Sequence, residues 1–433
     1  MIEKAGRVVR QLDSRPEFKL VVMENHEDSI AIRDGRVEKM LRASSLSLAL
    51  NLYIDGRDGF FYTNNLTDEA VADFIRQAEA TTILLQPDET RTLADPSRYY
   101  RGDGPDLHNC DPTIATADPQ RKIALTRQVA EGKADTDSRI RSIQTRYSDR
   151  LHRAWYQTSN GFEGYEESSW CTLACLFTVE GEDGQHPIDG WGETRIYLDD
   201  MPTAGIADTA LRRTLMKIGQ RPAKSGRYRM ILESPCAGNF MQPLLNAMGG
   251  HALQGRTSFL QDRLDQQVAS PLLNVVDDPL IPGTRGASLF DYDGVATKRR
   301  ELFTDGRLRM YFIDTPNSRK LNMPPTTQGI HHLITNQGTK TLDQLIGESD
   351  NAILVTDFNG GNCDPSTGNF SYGIEGFLIR NGIIVQPVSG MNITGNMLDT
   401  WQHLTDLGND ADPWETELIP SLVFEDVAFG GTA

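Results

Sequence analysis

The sequence predicts an α+β protein of two domains: an N-terminal α/β domain with antiparallel strands and helices over residues 1–222, and a C-terminal, mostly antiparallel β domain over 223–433. Three observations carry this. Dipeptides of the Asp-Gly and Asn-Gly kind recur between apolar runs, at Asp34-Gly35, Asp55-Gly56, Asp293-Gly294, Asp305-Gly306 and Asn381-Gly382. They suit tight hairpins, whose two central residues need positive φ. Segments with helical spacing fall mostly in the first half, and Arg221-Pro222-Ala223-Lys224-Ser225-Gly226 separates it from the strand-rich second half. A length of 433 residues fits that division, at about 150 residues per domain as a starting expectation.

Taken in order, Lys19–Met23 and Ser29–Ile32 read as strands, followed across Asp34-Gly35 by Val37–Leu41. In Leu46–Ile54 the leucines at 46, 48, 50 and 52 alternate with smaller or polar residues, the period of a half-buried strand. Asp55-Gly56 turns this strand into Phe60–Thr63. Thr67 caps a helix whose Val71, Phe74, Ile75 and Ala78 share one face, and Asp68 and Glu69 suit its positive end. Residues 86–118, rich in Pro, Asp and Gly, read as a long loop ending in a second helix start at Asp118-Pro119. Strands follow at Ile140–Tyr147, His152–Thr158 and Thr172–Glu180, the last two joined through Ser159-Asn160-Gly161, and then a helix at Ala207–Ile218. In the second half, a buried strand at Tyr228–Leu232 leads to a helix over Gly238–Met248 that Pro243 interrupts or delays. Strands at Leu302–Phe303, Leu308–Ile313, Gly376–Ile379 and Ile383–Val388 flank the later turns.

Composition excludes several classes. With 43 Lys+Arg against 60 Asp+Glu the net charge is −17, and without an extended basic run this opposes a nucleic-acid partner, which needs cations against phosphate. No apolar stretch reaches the roughly 20 residues of a membrane span. The first residues lack a signal-peptide core, so the expected location is cytoplasmic. Five scattered cysteines are too few for a disulfide framework in a chain this long.

Residue chemistry alone yields no active site. No two of the eight histidines have metal-site spacing. Cys171 and Cys175 would face one side of a strand too far apart for one zinc, and no second pair completes a ligand set. Cys363 with His332 could form a thiolate nucleophile, but neither carries a local signature of a cysteine hydrolase. Asn359-Gly360-Gly361-Asn362 lacks the Lys-Ser/Thr of a phosphate loop.

Several long phrases are distinctive. They are GRTSFLQDRLDQQVASPLLNVVDDPLIPG (255–283), FDYDGVATKRRELFTDGRLRMYFIDTPNSRKL (290–321), LVTDFNGGNCDPSTGNFSYGIEGFLIRNGIIVQPVSGMNITGNMLDTW (354–401) and LGND (407–410). Together with GFFYTNNLTDEAVADFIRQA (59–78) and TSNGFEGYEE (158–167), they resemble the TldD/PmbA family, formerly called modulators of DNA gyrase. The resemblance implies one of two kinds of member. The TldD kind carries HExxxH on the first helix of the C-terminal domain and completes its metal site with a late Cys. The PmbA kind, also called TldE, lacks these residues and partners the metal-bearing subunit. Here the corresponding positions fall at about Met241-Gln242-Pro243-Leu244-Leu245-Asn246, and Glu415 to Ala433 contains no Cys. The phrase SRKL at 318–321 also resembles the PmbA kind.

The resemblance therefore implies a PmbA-type subunit with no catalytic or metal residues of its own and no cofactor. Zinc is expected in a TldD-like partner, and the substrate is a peptide or an unfolded protein. Ser318, Arg319, His331 and His332 are the candidate peptide-cleft residues, because they lie in or beside the matched phrases. Two other readings stand beside this one. One is an independent peptide hydrolase using Cys363, His331 or His332; the other is a homodimeric binding protein that cleaves nothing.

Overall fold

The computed structural model describes residues 17–181 and 184–431, together with Glu3, Arg7, Val8 and Gln11. In the first half, β1 (Glu17–Arg33), β2 (Arg36–Ile54) and β3 (Arg57–Thr63) precede α1 (Asp68–Thr82) and α2 (Pro119–Gln128). β4 (Ile140–Thr158), β5 (Glu163–Val179), β6 (Ile188–Arg195) and α3 (Ile206–Met216) complete it. The six strands form one antiparallel sheet in the order β3-β2-β1-β4-β5-β6. Side chains alternate across its faces. Leu20, Val22, Leu48 and Leu50 pack under α1, and Ile30, Tyr147, Leu173 and Cys175 pack with residues of α2 and α3. The opposite face meets the second half, where Val21, Ala154, Tyr156 and Phe162 are buried with Phe290 and Val295.

The second half begins with β7 (Gly226–Leu232), α4 (Ser234–Ala247), α5 (Gly250–Gln254), β8 (Val275–Asp277), β9 (Arg300–Thr304) and β10 (Arg307–Leu308). Next come α6 (Thr315–Leu321), β11 (Leu333–Thr335), α7 (Leu342–Gly347), β12 (Asn351–Cys363), β13 (Asn369–Arg380) and β14 (Ile383–Asn396). The chain closes with α8 (Met397–Gln402), β15 (Leu404–Leu407), β16 (Glu417–Leu418) and β17 (Leu422–Gly430). One sheet runs β14-β13-β12-β7-β17-β15 and another β10-β9-β8-β11-β16. Both are antiparallel apart from the pairs β7–β12 and β11–β16. Helix α4 is the centre of this core: Phe240 is 0 % exposed and packs against Phe370, Trp401 and Phe424 at ring distances of 5.4, 5.7 and 5.4 Å.

The fold class agrees with the sequence, and the differences lie in the elements. Lys19–Met23 and Ser29–Ile32 are one strand, as are Val37–Leu41 with Leu46–Ile54, and Ile140–Tyr147 with His152–Thr158. The polar residues that suggested breaks find cross-strand partners, such as Arg153 with Glu24 at 3.6 Å and Arg150 with Asn25 at 2.8 Å. β6 was not expected at all. Helix α4 starts at Ser234, with Pro235 in its first turn, and continues through Pro243. Leu308–Ile313 is a strand only at its start, and the second half holds more short helices than the one or two expected.

Candidate functional site

A cleft of ≈ 1020 Å³ opens where the face of the N-terminal sheet meets α4. Clefts at domain junctions are common ligand sites. Its floor is the small-residue surface of β5 and β6, formed by Ala174, Leu176, Gly190 and Gly192. One wall is the exposed side of α4, at Ser234, Gly238, Asn239 and Gln242; the other is the segment 410–417, including Trp414. β6 is the last strand of its sheet, so one side of its backbone has no strand partner among the described residues.

The polar groups of the cleft are tied in place. Arg213 donates to both carboxylate oxygens of Glu233 at 2.7 and 2.9 Å and lies over the Trp191 ring. Arg195 bonds Glu193 at 3.1 Å and stacks on Trp414, 4.4 Å from its ring centre. The Gln242 amide donates to Glu417 at 2.8 Å. Burial pushes the Glu417 carboxyl above the usual range, with this hydrogen bond acting the other way. Gly238 makes that contact possible, since a Cβ there would stand 2.7 Å from Glu417 Oε2.

Of the positions aligned with the histidines of HExxxH, Met241 is 0 % exposed in the core and Asn246 is exposed at the end of α4. Gln242 faces the cleft instead. Among the described residues no three His, Cys, Asp or Glu side chains gather as a metal set. A thioether and two amides do not offer the imidazole and carboxylate donors a catalytic zinc takes. The α4 residues do not fit that ion.

The four candidate cleft residues lie elsewhere. Ser318 and Arg319 sit on α6, where Ser318 bonds the Thr315 carbonyl at 2.8 Å. Arg319 donates to the carbonyls of Glu89 and Thr90, and Lys320 pairs with Asp88 at 2.7 Å, so α6 clasps the long loop of the first half. His331 and His332 precede β11, and both their backbone N–H groups bond Asp277 Oδ1 at 2.9 Å. Asp277 Oδ2 lies 3.7 Å from His331 Nδ1 and 3.6 Å from Arg300. His332 is 1 % exposed. Cys363 donates to the Asp364 carbonyl, and no hydrogen bond links it to His332. Burial, with Asp364 adding, pushes its thiol up to about 11, opposite to what a thiolate nucleophile needs. Cys171 and Cys175 are fully buried core thiols. The cleft residues escaped sequence reasoning because Asp189-Gly190-Trp191-Gly192 has no strand alternation. Trp414 sits in an Asp- and Pro-rich stretch that reads as loop. The Gly-Trp-Gly triplet was the available signal.

Two histidines, His332 buried and His152 half-buried, give a testable pH response. Burial holds His332 below the usual imidazole range, against the opposing pull of the Thr416 carbonyl and of Asp277. His152 is lowered by burial and by Arg150. A ring that stays neutral in the fold takes up its proton near pH 6.5 in the unfolded chain. This stability is complete above about pH 6.5 and is lost as pH falls from there toward the folded value. Thermal unfolding is expected to shift down between pH 7 and 5, and His332→Phe to flatten part of the shift. An unchanged slope in that variant would contradict this assignment.

Comparison with known proteins places the whole arrangement. Models of the PmbA/TldA metallopeptidase match domain 1 at residues 19–82, the central domain at 112–218 and the C-terminal domain at 225–431. The chain is 26 % identical over 412 residues to metalloprotease PmbA of Escherichia coli, covering 93 % of this chain and 90 % of that one. A crystal structure from Bacteroides thetaiotaomicron, described as a modulator of DNA gyrase, superposes with a TM-score of 0.96 at 40 % identity, covering 99 % of this chain and 98 % of that one. TldE from Thermococcus kodakarensis shares the fold, with a TM-score of 0.87 at 19 % identity and 99 % of each chain covered. With its domains matched in sequence and its fold shared from end to end, the chain belongs to the PmbA/TldD family of metallopeptidases.

Proposed function

We propose that this chain is the non-catalytic half of a two-subunit TldD/PmbA-type metallopeptidase. It holds a peptide or partly unfolded protein in the β6–α4 cleft while a TldD-like partner bears the zinc and cleaves. The observation that carries this reading is α4 itself, where Met241 is committed to the core, Gln242 is committed to Glu417, and Asn246 offers an amide in place of an imidazole. A hydrolytic zinc needs about three protein ligands and an open position.

The cleft supports the holding role. An extended peptide can add to the free edge of β6 through main-chain hydrogen bonds, a mode that tolerates many sequences. Gly190 and Gly192 leave the floor low, and the tied pairs Arg213–Glu233 and Arg195–Trp414 keep the walls in position before a peptide arrives. The acidic surface gives no support for a nucleic-acid partner. Among the described residues no helix is long and apolar enough to cross a membrane, and we place the complex in the cytoplasm.

The test is a peptidase assay of the purified chain with added zinc, alone and mixed with a family chain that carries HExxxH. Cleavage is expected only in the mixture, and a chelator should abolish it. Metal-dependent turnover by this chain alone would overturn the proposal.

A further inference from the structure

The β6–α4 cleft carries an unbalanced charge. Six carboxyl groups line it, from Glu193, Glu233, Asp410, Asp412, Glu415 and Glu417, against the two guanidinium groups of Arg195 and Arg213. Both guanidinium groups are already bonded to carboxylates, Arg213 to Glu233 and Arg195 to Glu193. Glu415 takes a cation from outside the cleft, Arg285, at 3.2 Å. Asp410 is engaged at both oxygens by Ser421, and Asp412 accepts the Trp414 N–H at 2.9 Å.

Glu417 is left half-buried and without a cation. Its Oε1 accepts the Gln242 amide at 2.8 Å, and among the described residues no hydrogen bond reaches Oε2. Burial holds the carboxyl above the usual range against Gln242, and the charge of Glu415 pushes it the same way as burial. Oε2 faces Gly238 of α4, where a Cβ would stand 2.7 Å away, so the glycine keeps the approach along the helix clear. A carboxylate that has lost part of its water is stabilised by an opposite charge at hydrogen-bond distance. The geometry also selects the kind of cation. With Oε1 committed to Gln242, Glu417 cannot take the two parallel bonds of a guanidinium fork, whereas an ammonium group bonds as a point charge.

We infer that Glu417 receives a primary ammonium group of the bound peptide, from a lysine side chain or a free N-terminus, and that the cleft selects peptides by this charge. This rests on the peptide-holding role proposed above and names the feature of the peptide that the cleft reads.

Fluorescence anisotropy on the full chain at pH 7 tests it with three versions of one labelled unstructured peptide. The first has an acetylated N-terminus and norleucine in place of every lysine. The second is acetylated and keeps its lysines, and the third has a free N-terminus and norleucine. At least one of the two ammonium-bearing peptides should bind about fivefold tighter than the first, the upper scale for an accessible ion pair, and the one that does so identifies the source. Glu417→Gln keeps the side-chain shape and should cut this preference to within about twofold, with thermal unfolding unchanged. Glu69→Gln removes an equal charge from the exposed start of α1 and should keep the preference, which separates the site from the general attraction of a chain with net charge −17. Equal affinity for all three peptides overturns the inference and leaves the holding role standing. So does a preference that Glu417→Gln retains or that Glu69→Gln also abolishes. Binding of none of the three removes the holding role itself, and the inference with it.

Discussion

Replacing Lys122 by Met is expected to destabilise the N-terminal half by about 3–5 kcal/mol, the cost of removing one partner from a buried ion pair. Lys122 is 0 % exposed on α2. Its ammonium donates to Asp28 Oδ2 at 2.7 Å and to the Ile114 carbonyl at 2.8 Å, and it lies 2.5 Å from Asp149 Oδ2. Three acceptors use all three of its protons. Asp28 keeps a second cation in Arg42, and despite burial its carboxyl stays below the usual range through Arg42 and Lys122. Asp149 has no such reserve. Burial lifts its carboxyl above the usual range against Lys122 and the Tyr147 hydroxyl at 2.5 Å. Among the described residues, that carboxylate without Lys122 keeps only the Tyr147 hydroxyl and the Asp28 N–H at 3.2 Å.

The pH dependence follows from that raised value. A carboxyl that holds its proton more tightly in the fold than in the unfolded chain loses stability for the protein as pH rises through the interval between the two values. Removing Lys122 widens the interval upward. The defect of Lys122→Met in urea unfolding should therefore be larger at pH 7 than at pH 5. Adding Asp149→Asn should recover part of it by removing the buried charge. A Lys122→Met variant within about 1 kcal/mol of the wild type at pH 7 would refute the account, since that is the scale of an ordinary substitution.

The same network explains which parts of the fold were legible. Leu46–Ile54 and Val71–Ala78 announced themselves because a strand or helix with one wet face must repeat its apolar residues at its own period. Glu24–Asp28 and Ser148–Leu151 looked like breaks, because sequence reading scores polar residues as exposed. In the structure Asp28 and Asp149 are buried polar groups satisfied by Lys122 of helix α2, 94 residues along the chain from Asp28 and outside both their strands. No local pattern encodes that pairing. The identity of the second half was legible in long phrases, yet the cleft was not. Its floor consists of residues whose contribution is to be small, and glycine in a strand reads as interruption. Of the residues in or beside the matched phrases, Arg319 ties the two halves through the carbonyls of Glu89 and Thr90, and the backbone of His331 and His332 is tied to Asp277 of β8.

The glycine floor supplies the second large effect. Gly192 is exposed on β6, and a Cβ there would sit 3.2 Å from the Ala174 methyl, a contact that small adjustments relieve. An indole built on that Cβ would occupy the groove in which a peptide strand is proposed to lie. Gly192→Trp is expected to weaken binding of a fluorescent unstructured peptide by at least about tenfold, or roughly 1.4 kcal/mol, with thermal unfolding unchanged. Trp414→Ala should weaken it less, because it removes one apolar wall and the Arg195 stack but leaves the β6 edge open. Mixed with a TldD-like subunit, both variants should raise KM while kcat stays near its normal value. Contacts that hold ground state and transition state equally affect only KM, and the chemistry is assigned to the other subunit. A Gly192→Trp chain with normal peptide affinity would remove the β6 groove from the binding path. A fall in kcat at unchanged KM would instead place this chain's residues among the reacting groups, contrary to the division of labour that α4 supports.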